Sequence, residues 1–343
     1  MDKKLDVGNR FLMQISKSEN FNEFFALTMS SEIIFINSKT SRIRGIHKAK
    51  NDIFFSGSFR KSTLDLFSIT KKKKGIDILS VRDGSVIRSF KDASGPIYTS
   101  CFSNQGTRLL SAGNEPNIKI WNIPTQESEE CIQTSYGLIR KLSFLSSHSN
   151  IFGSSCYNGM INLYDLRQKK RLISTFKHGC PVENFLFCNN EKDIISIGGN
   201  SIKIWSIFQN KLIFDLKTEK PVIGCSSFNK NGIFYNTCGQ EIRYYDFKKS
   251  SCSSFYTFNK EMSSFEIINN KFLFNFIDGR LCFKNNLKPK YKKSIMFNEN
   301  ILLNLLKYKK YKLKYMPRKK RLEKTFLNKI LNKSKGLNSE NKY

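Results

Sequence analysis

A short strand signature returns about every forty residues, and this spacing constrains the fold more than any other feature of the chain. Two or three alternating apolar residues lead to an aromatic and then a small polar residue. The copies read IIFIN at Ile33–Asn37, ILSVRD at Ile78–Asp83, IKIWN at Ile118–Asn122, INLYD at Ile161–Asp165, IKIWS at Ile202–Ser206 and IRYYD at Ile242–Asp246, with a degenerate RLCFK at Arg280–Lys284. Trp121 to Tyr164 is 43 residues, Tyr164 to Trp205 is 41, and Trp205 to Tyr245 is 40. Two more strand-like runs precede each copy, as IRKLSFL (Ile139–Leu145) and NIFGSSCY (Asn150–Tyr157) precede INLYD. Ser146, Ser147 and Ser149, then Asn158 and Gly159, separate them as turn residues. Period-2 alternation broken by regular turn signals is an all-β pattern. A four-stranded sheet of this size cannot bury both faces alone, so it stacks on its neighbours around an axis. Seven copies in residues 1–286, about 41 residues each, predict a seven-bladed β-propeller.

That repeat length falls in the range of WD40 arrays, about 40–45 residues, and the chain resembles one. It departs from the pattern in having neither a Trp-Asp nor a Gly-His dipeptide. Where the repeat usually carries a structural Asp before its third strand, this sequence offers Asn158 or the pair Gly198–Gly199. An incomplete hydrogen-bonded network within the blades is the expectation that follows.

The charge is the second constraint. The 343 residues carry 58 Lys and Arg against 28 Asp and Glu, a net +30. Lys outnumbers Arg about threefold, the bias of an AT-rich coding sequence, so part of the surplus is compositional. Position separates the rest. Residues 287–343 hold 18 cations and 3 acidic residues, a net +15 that equals the contribution of all preceding residues. The chain therefore reads as two parts, a propeller over 1–286 and a short basic α-helical tail over 287–343. Within the tail, Lys307, Lys309, Lys310, Lys312, Lys314, Arg318, Lys319, Lys320 and Arg321 interleave with Tyr308, Tyr311 and Tyr315. Cations neutralise phosphates and tyrosines stack on unpaired bases, which makes this stretch a candidate RNA contact; a nuclear import signal would use the same residues. Beyond Pro317, Leu322, Phe326, Leu327, Ile330 and Leu331 fall on one face of an amphipathic helix, a candidate partner-binding helix. A second basic run, Lys71, Lys72, Lys73 and Lys74, sits at the tip of an expected β-hairpin, as a solvated loop or a phosphate contact.

No constellation of catalytic or metal-binding residues emerges, and the expectation is a non-enzyme without cofactor, metal or small-molecule substrate. His178 and Cys180 are two residues apart in a turn between strands, a poor arrangement for proton transfer; His178 reads as a loop histidine capping a turn. Gly198–Gly199–Asn200 lacks the Lys-Ser/Thr of a phosphate loop. Asp83, Asp165 and Asp246 end strands on separate blades and read as turn caps. Nine scattered cysteines without a CxxC pair, and only three histidines, give neither a disulfide framework nor a zinc site and point to a reducing compartment. The first sixteen residues contain no apolar run of the kind a secretory leader needs, and no stretch has the roughly 18 apolar residues of a membrane helix, so no membrane association is expected.

One segment narrows the resemblance. GLIRKLSFLSSHSNIFGSSCYNGMINLYDLR (Gly137–Arg167), HGCPVENFLF (His178–Phe187) and IISIGGNSIKIWSI (Ile194–Ile207) resemble the U3 small nucleolar RNA-associated protein 15 family. EFFALTMSSEIIFINSKT (Glu23–Thr40) and KNDIFFSGSFR (Lys50–Arg60) look like that family's first two blades. The resemblance implies a WD-repeat scaffold of the small-subunit processome in the nucleolus. It also implies, as partners, other WD-repeat subunits, the U3 snoRNP and the 5′ external transcribed spacer of pre-rRNA. Roles in pre-rRNA processing, 18S maturation and rDNA transcription follow from the same resemblance. The family continues into a larger helical domain, so the 57 residues after the propeller are expected to be a shortened remnant of it. A second reading of the same repeats is a WD40 substrate receptor or adaptor of a nuclear ubiquitin-ligase or chromatin complex.

Overall fold

The computed structural model describes most residues from Lys3 to Lys284; residues 7–11, 18–22, 73–74, several other loop positions and everything after 284 lie outside the description. All these residues belong to the compact unit Met1–Met296. The strand β1 (Lys3–Asp6) is followed by six blades in chain order. Blade 1 is β2 (Leu12–Lys17), β3 (Glu23–Thr28), β4 (Glu32–Asn37) and β5 (Arg42–Lys48). Blade 2 is β6 (Phe54–Phe59), β7 (Leu66–Lys71), β8 (Gly75–Ser80) and β9 (Val86–Phe90); blade 3 is β10 (Ile97–Phe102), β11 (Arg108–Gly113), β12 (Asn117–Asn122) and β13 (Ser128–Gln133). Blade 4 is β14 (Ile139–Phe144), β15 (Ile151–Cys156), β16 (Met160–Asp165) and β17 (Leu172–Lys177); blade 5 is β18 (Asn184–Cys188), β19 (Asp193–Gly198), β20 (Ser201–Ser206) and β21 (Lys211–Lys217). Blade 6 is β22 (Val222–Phe228), β23 (Gly232–Thr237), β24 (Glu241–Asp246) and β25 (Ser251–Thr257). Blade 7 takes β26 (Met262–Ile268), β27 (Lys271–Phe276) and β28 (Arg280–Lys284) from the end of the propeller and β1 from its beginning. Lys3 pairs with Phe283 and Asp6 with Arg280, antiparallel. The innermost strands neighbour one another in sequence and β26 meets β2, so the ring closes at seven blades.

Burial grades from the axis outward. The second strands are buried on both faces, as in β19 and β23, because each blade is sandwiched between two others. Here the structure replaces the expected alternation with continuous burial, the pattern of a sheet covered on both sides. The outermost strands β5, β9 and β13 are mostly exposed.

The aromatic of the repeat signature receives the outer strand of the preceding blade. Phe90 packs on Trp121 at 5.2 Å between ring centroids, Phe176 on Trp205 at 5.6 Å and Phe214 on Tyr245 at 5.3 Å. Ile132 of β13 and Tyr164 share one core cluster between blades 3 and 4. Such ring pairs add about 0.5–1.5 kcal/mol each beyond their burial. Blades 1 and 2 join through Phe25, Phe35, Phe59 and Phe67, and blades 7 and 1 through Leu273 and Leu281 against Phe24 and Ile36. The copy assigned to Ile78–Asp83 needs correction. Its strand is Gly75–Ser80, and Val81, Arg82 and Asp83 form the following turn. Leu79 takes the place that Trp121 holds in blade 3: Leu79 pairs with Val86 as Trp121 pairs with Ser128.

Candidate interaction surfaces of the ring

Because all neighbouring strands are antiparallel, the connections gather at two ends of the ring. Turns from second to third strand, and links from each fourth strand to the next blade, share one rim, called the front. Turns from first to second and from third to fourth strand share the back rim, where β28 ends.

At the front rim, the innermost strands carry a repeated irregularity. Pairing shifts after the first residue in β2, β6, β10, β14, β22 and β26. The residues skipped are Met13, Phe55, Tyr98, Arg140, Ile223 and Ser263. A bulge bends the strand and re-aims the side chain at the extra residue. Phe55 and Tyr98 meet edge to face at 5.0 Å across blades 2 and 3. Arg140 donates from Nε and Nη2 to Glu183 Oε2 at 3.0 and 2.7 Å, tying blade 4 to blade 5.

The joint between these blades explains the PVEN and GGN motifs. Val182 is fully buried with Phe176, Phe185 and Trp205. Glu183 donates its backbone N–H to Ile197 O at 3.0 Å and spends its carboxylate on Arg140. A Cβ on Gly198 would lie 2.3 Å from Pro181 O, so only glycine lets the incoming link cross there. His178, expected as a loop histidine capping a turn, is a buried member of a hydrogen-bonded chain. It is 1% exposed and bonds to Ser196 Oγ through Nδ1 at 2.8 Å and to Ser201 Oγ through Nε2 at 2.9 Å. Trp205 Nε1 donates to the same Ser196 hydroxyl at 2.8 Å, and Lys203 Nζ donates to His178 O at 2.6 Å. The expected gap in the network is therefore filled in blade 5, with Ser201 as the terminal partner. Burial pushes the His178 pKa down to about 4. In blade 3 Trp121 Nε1 similarly donates to Ser111 Oγ at 2.8 Å.

At the back rim, side chains stitch consecutive turns. Asn104 Nδ2 donates to Leu145 O at 2.5 Å and Ser146 O at 3.0 Å. Glu191 accepts from the backbone N–H groups of Ser146 and Ser147, the latter at 2.8 Å. Burial raises the Glu191 pKa, but the Ser147 and Ser146 donors outweigh it and hold the carboxyl below its usual range. Arg171 grips Glu130 with Nε at 2.9 Å and Nη2 at 3.0 Å. Asp165 caps its own turn, as expected, accepting from Arg167 N at 3.0 Å and from its guanidinium; Asp83 likewise accepts from Ser85. A polar cleft of about 360 Å³ between blades 3 and 4 is lined by Arg108, Glu129, Asn122 and Asn150 among others.

The basic residues singled out in the sequence fall differently. Lys71 ends β7 at the expected hairpin, and its Nζ lies 2.7 Å from Asp77 Oδ1. Lys72 is exposed at the turn, while Lys73 and Lys74 lie outside the described residues. So do Lys307–Arg321 and the helix residues Leu322, Phe326, Leu327, Ile330 and Leu331.

The G-beta repeat of the WD domain family matches residues 84–122, which run from the fourth strand of blade 2 through the third strand of blade 3. With the closed ring of seven four-stranded sheets, this makes the fold a WD40-type β-propeller. Over 214 residues the chain is 24% identical to U3 small nucleolar RNA-associated protein 15 of Saccharomyces cerevisiae, covering 60% of this chain and 41% of the yeast protein. The Xenopus laevis homologue is 21% identical over 61% of this chain and 40% of its own length. The chain is similar to U3 small nucleolar RNA-associated protein 15. It spans about two-fifths of the length of these relatives. The repeats alone also bring similarity to protein transport protein SEC31 of Yarrowia lipolytica, 27% identical over 48% of this chain and 15% of that protein. U3 small nucleolar RNA-associated protein 15 of Saccharomyces cerevisiae and its homologues of Xenopus laevis and Gallus gallus match over a larger share, 60–61% of this chain.

Proposed function

We propose that this protein is a non-catalytic scaffold of ribosome biogenesis, acting with the U3 snoRNP in the nucleolar small-subunit processome during pre-rRNA processing and 18S maturation. The observation that carries the reading is the similarity to U3 small nucleolar RNA-associated protein 15 over about three-fifths of the chain. The PVEN and GGN segments support it, because they form the blade 4–blade 5 joint instead of lining a catalytic cleft. A closed ring offers two rims of loops to partners, and the basic stretch Lys307–Arg321 adds phosphate neutralisation. Other WD-repeat processome subunits are the protein partners, and the 5′ external transcribed spacer is the RNA.

Affinity purification of the tagged chain with sequencing of crosslinked RNA tests this. Enrichment of U3 RNA and 5′ spacer together with WD-repeat subunits is the expected result. Recovery of ligase adaptors or chromatin proteins, with RNA at background, would replace it with the receptor reading.

A further inference from the structure

Four back-rim turns are built alike, and one of them differs at its tip. After the third strand, Val81, Ile123, Leu166 and Ile207 donate their N–H groups to the carbonyls of Asp65, Thr107, Asn150 and Lys192 at 2.9–3.0 Å. The next residue stands at the tip of the turn: Arg82, Pro124, Arg167 and Phe208 respectively. Phe208 is 82% exposed, whereas Tyr157, the next most exposed large apolar side chain among the described residues, is at 53%. The turn that carries Phe208 has a fixed shape. Gln209 N donates to Ser206 Oγ at 3.2 Å, Asn210 takes the left-handed conformation (φ 50°) that Asn tolerates, and Lys211 pairs with Ser206.

Two cations stand on the backbone segments that frame this turn. Lys192, the carbonyl partner of Ile207, and Lys211, three residues after Phe208, both have exposed side chains. Of the two acidic residues that bracket Lys192, Glu191 is held by Ser146 and Ser147 of blade 4. Asp193 is fully buried.

We propose that this turn is a stacking platform for single-stranded RNA, with Phe208 offering its ring to a base and Lys192 and Lys211 neutralising the adjacent phosphates. An aromatic beside backbone-tracking cations is how unpaired strands are held without sequence readout. An apolar peptide side chain would need a pocket to bury it, and Phe208 projects from a turn tip. The choice of RNA as the strand rests on the function proposed above; the platform lies apart from the basic stretch at Lys307–Arg321.

The test uses the full chain carrying Phe208→Trp, titrated with a short unlabelled oligouridylate while tryptophan emission is read. Trp121 and Trp205 are each only 7% exposed, so their emission is a constant background. Saturable quenching is expected, and adding Lys192→Glu with Lys211→Glu should move its midpoint to about tenfold higher RNA or more. In parallel, anisotropy of a labelled oligouridylate reports binding anywhere on the chain. RNA binding without quenching overturns the platform and leaves the proposed function standing on other contacts. Absence of binding in both readouts overturns the platform and the RNA contact of the proposed function together. Equal quenching by polyglutamate overturns the assignment in favour of an acidic-peptide contact.

Discussion

His178 Nδ1 lies 2.8 Å from the Ser196 hydroxyl, which also receives the Trp205 indole N–H at 2.8 Å. On the other side of the ring, Nε2 faces Ser201 Oγ at 2.9 Å and the Gly198 carbonyl at 3.3 Å. A carbonyl opposite Nε2 requires a proton there, which assigns the neutral Nε2–H tautomer. Ser196 then donates to Nδ1, and Ser201 can pass its own proton to Gly198 O at 3.3 Å. Every donor meets an acceptor across the third strand, the second strand and the incoming link of blade 5.

Acid should undo this arrangement. Burial lowers the His178 pKa from 6.5 to about 4 in the folded protein. Above pH ~6.5 neither state protonates, and the neutral histidine contributes its full stability. Below it the unfolded chain takes up a proton first, so stability falls until the pH passes the folded pKa, by about 3 kcal/mol in all. Chemical denaturation of wild type and His178→Ala at pH 7, 5.5 and 4.5 isolates the effect. The gap between the two should shrink as pH falls; a constant gap would refute it.

Removing either end of the network should be costly in proportion to what it strands. His178→Ala leaves two buried hydroxyls short of a partner and should cost about 2–4 kcal/mol at pH 7. Trp205→Phe removes one donor and should cost about 1–2 kcal/mol, with packing on Phe176 largely kept. Equal costs in denaturant titrations would argue against the assigned proton arrangement.

Gly198→Ala sets a Cβ against the Pro181 carbonyl and the His178 ring. We expect at least about 2 kcal/mol of destabilisation. Gly137→Ala, with nothing within 4 Å of the added carbon, serves as the control and should change stability by less than about 0.5 kcal/mol. A thermal melt in which both variants match wild type would remove the steric account of the GGN motif.

Deleting residues 1–6 removes β1 and uncovers the edge of β28. The melting temperature should fall by several degrees, and the open edge should promote association on size exclusion. An unchanged melt would show that blade 7 holds with three strands.

Deleting residues 307–321 removes nine cations. RNA affinity should drop, and the slope of log affinity against log salt should flatten by about 0.7 for each phosphate released. Binding unchanged at every salt concentration would sink the tail's role.

The repeat was legible because Trp121, Tyr164, Trp205 and Tyr245 must each receive a neighbouring blade, and large aromatics at one spacing stand out. Blade 2 hides its register because Leu79 holds the same strand position without an aromatic, and the turn residues Val81–Asp83 imitate a strand end. The sequence around His178 shows only a turn residue, because nothing nearby in it discloses Ser196 and Ser201, which only the fold brings to the imidazole ring. Phe208, Lys192 and Lys211 carry no local signal in the sequence for a related reason. A single exposed aromatic has no period, and its two lysines come from different turns. The signal that does mark Phe208 is its place after Ile207 when the repeats are aligned at Val81, Ile123, Leu166 and Ile207.

The seam in blade 7 has a consequence for biosynthesis. β1 leaves the ribosome ahead of every other strand of the ring, and its partner β28 is the last of those strands to be made. For most of translation β1 has no partner strand, while the blades behind it pair locally. Closure then depends on a contact of very large sequence separation, the slowest kind to form. A nascent chain stalled before β28 would therefore be an open arc with β1 loose, a form a chaperone could distinguish from the finished circle.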